Sequence, residues 1–104
     1  MYFHATLSNG PYYIELLIKA ATCDEATAVV KLFSDECYEN EKNAIGTDAK
    51  PYEISGEMTP LTIHDGALYA CREEFIFDSY AHESKCTESY DAGEVWMLES
   101  GANG

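Results

Sequence analysis

Alternating apolar and polar positions predict a β-hairpin at the start of the chain. Residues 2–7 and 12–20 have the composition of two β-strands, and the intervening residues 8–11 contain Asn-Gly, a strong hairpin turn signal. Within the second strand the even-numbered positions are apolar, whereas Glu15 and Lys19 occupy odd-numbered positions. We therefore expect the even-numbered face of this strand to meet the core.

A capped amphipathic helix is predicted directly after the hairpin. Thr22 and Glu25 match a capping box, in which each residue bonds the other's backbone amide. The opposite side of the helix is polar and includes Ser34 and Asp35. Apolar residues recur at helical spacing and would pack on the even-numbered face, namely Ala26, Val29, Val30, Phe33 and Cys37. The helix is expected to end between residues 39 and 43.

The second half of the chain is predicted to be rich in β-strands. An Asp-Gly turn at 65–66 marks a second hairpin. The predicted segments are a strand at 52–58 with a bulge at Gly56, strands at 61–64 and 67–71, a strand at 73–80, a loop at 81–93, a strand at 94–98 and a frayed tail at 100–104. This order of elements predicts one α+β domain over residues 1–104, a mostly antiparallel sheet of four to six strands with one main helix packed on one face.

The charge of the chain favours a basic partner. There are 19 acidic and 6 basic residues, giving a net charge of -13, and most of the surplus lies in residues 51–104. Such a field repels nucleic acid and anionic membranes and attracts basic proteins, although acidity that only confers solubility remains an alternative. Neither a membrane span nor a signal peptide is apparent. A soluble cytoplasmic protein, either monomer or homodimer, is expected.

The cysteines and histidines carry no specific metal or catalytic motif. Four cysteines at positions 23, 37, 71 and 86 lack C-x-x-C spacing, so reduced thiols are favoured over a disulfide or a metal site. A zinc site from His64, Cys71, His82 and Cys86 and a small enzyme or redox protein using the last three are the open alternatives. No phosphate-binding or nucleophile motif is present. We predict no cofactor, no metal and no catalytic residue.

Acidic residues interleaved with tyrosines form the candidate binding surface. If residues 73–99 run back and forth across one sheet edge, their carboxylates would imitate the phosphates of a nucleic-acid strand. Tyrosines among them would serve as amphipathic anchors, although an ordinary solvated face is the alternative. The predicted partner-binding residues are Glu73, Glu74, Asp78, Tyr80, Glu83, Glu88, Tyr90, Asp91 and Glu94.

A strand running directly into a capped helix over residues 13–26, followed by an acidic β-rich half that ends in Glu94-Val95-Trp96, resembles the small phage-encoded anti-CRISPR proteins. The resemblance implies a non-enzymatic inhibitor that occupies a basic nucleic-acid-binding surface of a CRISPR effector complex. It assigns no role to any single residue. The alternative is a small accessory or immunity-type binding module whose acidity confers only solubility.

Overall fold

Strands and one long helix follow each other along the chain in an α+β arrangement. The computed structural model describes the backbone of residues 1–64, 67–70 and 85–103 and the side chains of residues 1–61 and 85–103. The elements are β1 (Tyr2–Ser8), β2 (Tyr12–Ala20), α1 (Cys23–Ile45), a 3-10 turn (Gly46–Asp48), β3 (Glu53–Ile54), β4 (Thr59–His64), β5 (Ala67–Ala70), β6 (Glu88–Tyr90) and β7 (Gly93–Ala102). The described helices lack the length or the apolar character that crossing a membrane requires.

The described strands form one antiparallel sheet. Their order is β5-β4-β1-β2-β7-β6, and the short β3 pairs with β1 at Leu7 and Ser8, beyond the stretch of β1 that pairs with β4. The longest strands, β2 and β7, lie side by side, and β1 flanks β2 on its other edge. The predicted α+β fold with a mostly antiparallel sheet is confirmed.

The predicted first hairpin is confirmed, with its turn at Gly10 and Pro11. The amide of Asn9 donates to the carbonyl oxygen of Tyr12 at 3.1 Å, and the Asn9 side-chain oxygen accepts from the Tyr12 amide at 2.9 Å. Gly10 has φ 99, a conformation that a residue with a Cβ adopts only at a cost. Pro11 lies in the turn, because the return strand begins at Tyr12.

The predicted helix is confirmed and packs over the even-numbered face of β2. The Thr22 hydroxyl accepts from the Glu25 amide at 3.1 Å, which satisfies a donor that helix geometry leaves unpaired. The core between α1 and the sheet contains the buried stripe Ala26, Val29, Val30 and Phe33, with Cys37 partly buried beside it. Ser34, predicted on the polar side, is buried instead, and its hydroxyl is satisfied by donating to the Lys31 carbonyl at 3.0 Å.

A second group of buried side chains lies on the sheet face away from α1. Leu17, which sequence alternation placed among polar residues, is 0% exposed and packs with Tyr2 and Trp96. The register explains this burial, because Leu17 on the central strand β2 pairs with His4 on β1 and with Trp96 on β7. The Tyr2 and Trp96 rings lie 6.4 Å apart between centroids. The sheet is therefore packed on both faces around Leu17.

Four predicted segments differ from the structure, of which the first is the helix, expected to end between residues 39 and 43 and observed to end at Ile45. The strand predicted at 52–58 is confined to Glu53–Ile54 and is followed by Gly56 at φ 82, and the loop predicted at 81–93 contains β6. The predicted frayed tail belongs to β7, because the Asn103 side chain fastens it to the first hairpin by donating to the Gly10 carbonyl at 2.8 Å. The predicted strand at 73–80 lies outside the described residues.

Candidate functional site

The structure describes four of the nine residues predicted to bind a partner. Glu88, Tyr90, Asp91 and Glu94 all lie in the hairpin of β6 and β7, and Asp91 occupies its turn. The other five lie outside the described residues, so their place on a binding surface stays a prediction; they are Glu73, Glu74, Asp78, Tyr80 and Glu83.

The register of the hairpin distributes these four side chains over different faces. Glu88 pairs with Val95, whose side chain is buried in the core beneath α1. Because alternate strand residues point to opposite faces, Tyr90 shares the side of Glu88, whereas Glu94 lies on the other side, opposite Lys19. The hairpin therefore does not present its described carboxylates as one row.

Tyr90 is partly built into the core. Its ring packs against the buried cluster between α1 and the sheet. Burial, followed by the nearby Glu36 carboxylate, raises the pKa of Tyr90 above its ordinary value, so the hydroxyl stays neutral at physiological pH. This tyrosine offers a partner less area than a surface tyrosine would.

Five exposed carboxylates lie on α1. We call this set the acidic helix surface, formed by Asp24, Glu25, Asp35, Glu36 and Glu39, each of which is exposed. The acidic helix surface was not predicted as a whole, because the larger surplus of charge lies in the second half of the chain. The signal was present, since residues 35–41 place four carboxylates on a segment predicted to be helical.

The described lysines form no close ion pair with these carboxylates. No described lysine lies within 4.0 Å of a carboxylate in the described residues, and the contact between Glu15 and His4 is at that limit. Two lysines lie over tyrosine rings instead. Lys19 Nζ is 5.8 Å from the Tyr2 ring centroid, and Lys42 Nζ is 5.7 Å from that of Tyr38.

A cleft lined by tyrosines opens beside the first hairpin turn. We call it the tyrosine cleft; its volume is about 360 Å³, and it is lined by Tyr12, Tyr13, Ile14, Tyr52, Met97, Ser100, Gly101 and Ala102. Tyr12 is 47% exposed and Met97 42% exposed, large fractions for side chains of this size. The cleft therefore exposes aromatic and thioether surface of the kind enriched at protein interfaces.

Tyr13 alternates with Tyr12 and Ile14 along β2, so its ring lies on the opposite face of the sheet, where a cross-strand pair holds it. Tyr13 on β2 pairs with Gly101 on β7, and a Cβ at Gly101 would lie 3.0 Å from the Tyr13 ring and hydroxyl. The missing side chain thus lets the ring lie against β7. The Tyr13 hydroxyl donates to Glu99 Oε1 at 2.9 Å, and this bond is the main cause of the raised pKa of Tyr13.

On the face of the sheet that carries α1, Tyr52 also lies beside a carboxylate. Burial raises the pKa of Tyr52 to about 12, and the neighbouring Glu41 carboxylate is the next cause. Glu41 is itself held to the first hairpin turn, because the Asn9 side-chain amide donates to its Oε2 at 3.3 Å. The neutral hydroxyls of Tyr13 and Tyr52 therefore lie on opposite faces of the sheet, each with a carboxylate beside it.

A second, more apolar cleft of about 310 Å³ lies between α1 and β3. Its lining includes the buried core residues Leu7 and Val30, as well as Ile54, which is 37% exposed. Tyr52 lines both clefts, so its ring separates the apolar cleft from the tyrosine cleft.

Two of the described thiols, Cys37 and Cys86, are poorly suited to nucleophilic attack. Cys23, Cys37 and Cys86 are free thiols, and Cys71 lies outside the described residues. Burial, followed by Glu36 and Glu41, raises the pKa of Cys37 to about 11, and burial also raises the pKa of Cys86. Thiolate is the reactive form, so both side chains are unreactive near neutral pH. Among the residues whose placement is known, no three His, Cys, Asp or Glu side chains converge to hold a metal.

Stability is expected to fall as the pH rises above 9. The pKa of Cys37 is about 11 against an ordinary 9.0, and the pKa of Tyr52 is about 12 against an ordinary 10.0. Since folding favours the neutral forms, the contribution of Cys37 is complete below pH 9 and lost towards pH 11, and that of Tyr52 is lost between pH 10 and 12. Urea unfolding at pH 8, 9 and 10 should show a smaller loss for Cys37→Ala than for the unchanged protein; parallel losses would contradict this.

The fold and these surfaces define an acidic α+β domain with a charged helix and an aromatic cleft. None of the protein-family models, curated proteins or solved structures compared with the chain matches it.

Proposed function

We propose that the protein is a non-enzymatic, acidic interaction protein of the anti-CRISPR type, which acts in the cytoplasm by occupying a basic nucleic-acid-binding surface of a partner such as a CRISPR effector subunit. The observation that supports this most strongly is the acidic helix surface, whose exposed carboxylates have no lysine within 4.0 Å in the described part of the chain. Charge that is not neutralised internally is available to a partner.

The arrangement of the helix carboxylates suits a Lys- or Arg-rich groove. Glu39 lies four positions after Asp35 and three after Glu36, so its exposed carboxylate neighbours both along α1, and the Glu36 carboxylate also lies near Tyr90. A partner groove that normally holds phosphates would meet a rigid row of negative charge. Such pairing steers encounter and selects against acidic competitors, and the same field disfavours direct binding to nucleic acid.

The chemistry of the described side chains supports a binding role. The neutral thiol of Cys37 and the neutral hydroxyls of Tyr13 and Tyr52 lack the activation that covalent catalysis requires. Tyr52 also contributes aromatic surface to the exposed tyrosine cleft. Affinity in this proposal comes from that aromatic surface, and the rate of association comes from the carboxylates.

Displacement of nucleic acid tests the proposal. A labelled duplex is bound to a purified CRISPR effector complex, and release is followed as the protein is added. The variant Asp35→Asn, Glu36→Gln, Glu39→Gln is expected to displace at least about tenfold less well, since it loses three contacts to basic groups. The control Asp48→Asn, Glu53→Gln, Glu57→Gln removes the same charge from exposed positions outside α1 and should retain most of the effect.

Equal losses in the two variants would contradict a defined acidic surface. They would favour the alternative, an accessory or immunity-type module whose acidity confers only solubility. Absence of displacement by the unchanged protein, with basic DNA-binding and RNA-binding proteins tested in parallel, would reject the proposal altogether.

The acidic residues of the second half are tested by a separate variant. Replacing Glu73, Glu74 and Asp78 with lysine is expected to abolish displacement if these residues share the binding surface. Circular dichroism reports whether this variant keeps its fold. Full displacement by a folded variant would remove the three residues from the interface and leave α1 as its acidic component.

A further inference from the structure

We propose that the outer edge of β7 binds an extended, basic segment of the partner as an added strand of the sheet. This inference rests on the proposed function for the basic character of the partner, and it names a contact apart from the acidic helix surface. β6 pairs with β7 only at residues 93–95, so none of the described strands lies along the outer side of residues 98–102. We call this stretch the open β7 edge.

The backbone of the open β7 edge has the hydrogen-bonding groups that an added strand requires. The Asn103 amide donates to the Pro11 carbonyl at 2.8 Å, so Asn103 directs its backbone towards the first hairpin. Backbone groups alternate in direction along a strand, and Ser100 and Ala102 therefore direct their N–H and C=O groups away from β2. Each of the two residues offers one donor and one acceptor to an incoming chain.

Side-chain exposure shows that this edge is accessible. Glu99, Ser100 and Ala102 are all exposed, and Met97 just before them is 42% exposed. Outward N–H and C=O groups at an accessible sheet edge are a template for pairing with another chain. In strand addition the main-chain bonds supply affinity, and the alternate side chains of the incoming segment supply specificity.

Glu99 selects a basic residue on one face of the added strand. Glu99 lies directly opposite Glu15 in the strand register, and carboxylates in such a pair repel each other. A lysine or arginine beside Glu99 on its other side would offset this repulsion. The Tyr13 hydroxyl on the same face donates to Glu99 Oε1 at 2.9 Å, which leaves the carboxylate further acceptor capacity for a cation.

Short and apolar side chains line the other face of the same edge. Ser100 and Ala102 pair with Ile14 and Tyr12, so they lie on the face that carries α1. Both side chains are short, and the tyrosine cleft lies over them. An apolar residue next to the basic one would therefore pack over Ser100. The two faces together select a segment that alternates basic and apolar residues.

The charge of the chain opposes a second copy as the occupant of this edge. Each copy has a net charge of -13, and pairing two open β7 edges would bring the Glu99 side chains of both copies into one sheet. Charged side chains on an edge strand are a common means of preventing such self-pairing. The same charge attracts a basic strand, and this difference commits the edge to a segment of a basic partner.

The probe for this inference is a short peptide that alternates lysine with valine. It is compared with a glutamate–valine peptide and with a lysine–valine peptide whose amides are N-methylated. Binding and amide hydrogen exchange are followed by two-dimensional NMR of the whole, isotope-labelled protein. The lysine–valine peptide is expected to slow exchange of the Ser100 and Ala102 amides at least about tenfold. The N-methylated peptide should bind at least about tenfold more weakly, and the glutamate peptide should not bind.

Two pairs of variants test the location. Ala102→Pro removes an N–H that points away from β2, and it is expected to weaken binding of the lysine–valine peptide at least about tenfold. Its control Ala102→Ser keeps the amide and should bind within about twofold of the unchanged protein. Circular dichroism reports whether each variant keeps its fold.

The second pair tests the charge. Glu99→Lys is expected to weaken binding of the same peptide about tenfold, because it places a cation where the peptide presents one. Glu57→Lys makes the same change of charge at an exposed residue outside β7 and should alter the affinity by less than about twofold. Equal effects of Glu99→Lys and Glu57→Lys would overturn the inference.

The outcomes separate this inference from the proposed function. Unchanged exchange at Ser100 and Ala102, equal affinity for the lysine and glutamate peptides, or full binding of the N-methylated peptide would overturn it. Sedimentation that shows a dimer dissociated by Ala102→Pro would assign the edge to a second copy and would also overturn it. In each of these cases, displacement of nucleic acid by the unchanged protein would keep the proposed function. Conversely, lysine–valine binding at the open β7 edge without displacement would reject the proposed function and keep the strand site.

Discussion

Replacing Trp96 with alanine is expected to lower the free energy of unfolding by about 3–5 kcal/mol. Trp96 is 3% exposed and packs with Tyr2 and Leu17 on the sheet face away from α1. Removing the indole leaves a cavity beside Leu17 and removes the contact between the Trp96 and Tyr2 rings. For a domain with a typical total stability of about 5–15 kcal/mol, this change removes a large share.

Urea unfolding followed by circular dichroism measures this effect, since Trp96 is the single tryptophan and fluorescence would be lost with it. Trp96→Phe is the matched control, because it retains an aromatic ring against Tyr2 and should cost much less. A loss below about 1 kcal/mol for the alanine variant would show that this face of the sheet does not form a packed core.

Gly93→Ala is expected to cost about 3 kcal/mol, at the upper end of the usual range for overpacking. A Cβ at this position would collide with the backbone carbonyl oxygen of Lys19 and would lie 3.2 Å from Ala20 Cβ and from Val29 Cγ2. The obstacle is backbone in the paired strand, so relief requires β2 and β7 to separate where Ala20 pairs with Gly93.

Gly101→Ala is the control for this prediction, because Gly101 also lies on β7 and pairs with β2. Its added Cβ would meet the ring of Tyr13 at 3.0–3.1 Å, and a side-chain ring is able to turn away. We therefore expect a smaller loss for Gly101→Ala in the same urea experiment. Equal losses would contradict the assignment of the Gly93 collision to backbone.

Local signals in the sequence predicted the first hairpin and the helix. Asn9 and Gly10 mark the turn, where the Asn9 side-chain oxygen accepts from the Tyr12 amide and Gly10 adopts a positive φ. Thr22 and Glu25 mark the helix start, and the Thr22 hydroxyl accepts the Glu25 amide. These elements are specified by residues within a few positions of each other, which is why a single sequence suffices.

Nonlocal packing decided what the sequence could not predict. Alternation placed Leu17 on a polar face, yet pairing with His4 and Trp96 on neighbouring strands buries it. The length of β7 was underestimated because Asn103 ties its end to the distant first hairpin. A register shift between Glu15 and Leu16, which sequence alternation does not reveal, also decides which residues of β7 face α1.

The sequence predicted the kinds of side chain at the candidate site better than their location in the fold. The net charge and the eight tyrosines indicated a basic partner met by acidic and aromatic side chains. The tyrosine cleft, however, is assembled from β2, the segment before β3 and β7, which are far apart in sequence. Only the neighbouring Tyr12 and Tyr13, at the start of a strand, offered a local signal for it.

The salt dependence of binding tests the central claim most directly. Binding of the protein to the effector complex, free of nucleic acid, is measured from about 50 to about 200 mM salt. The unchanged protein is compared with the Asp35→Asn, Glu36→Gln, Glu39→Gln variant. If the helix carboxylates act together on a basic surface, affinity should fall steeply with salt and the variant should show a clearly shallower slope. Identical slopes, or affinity that does not change with salt, would contradict the account.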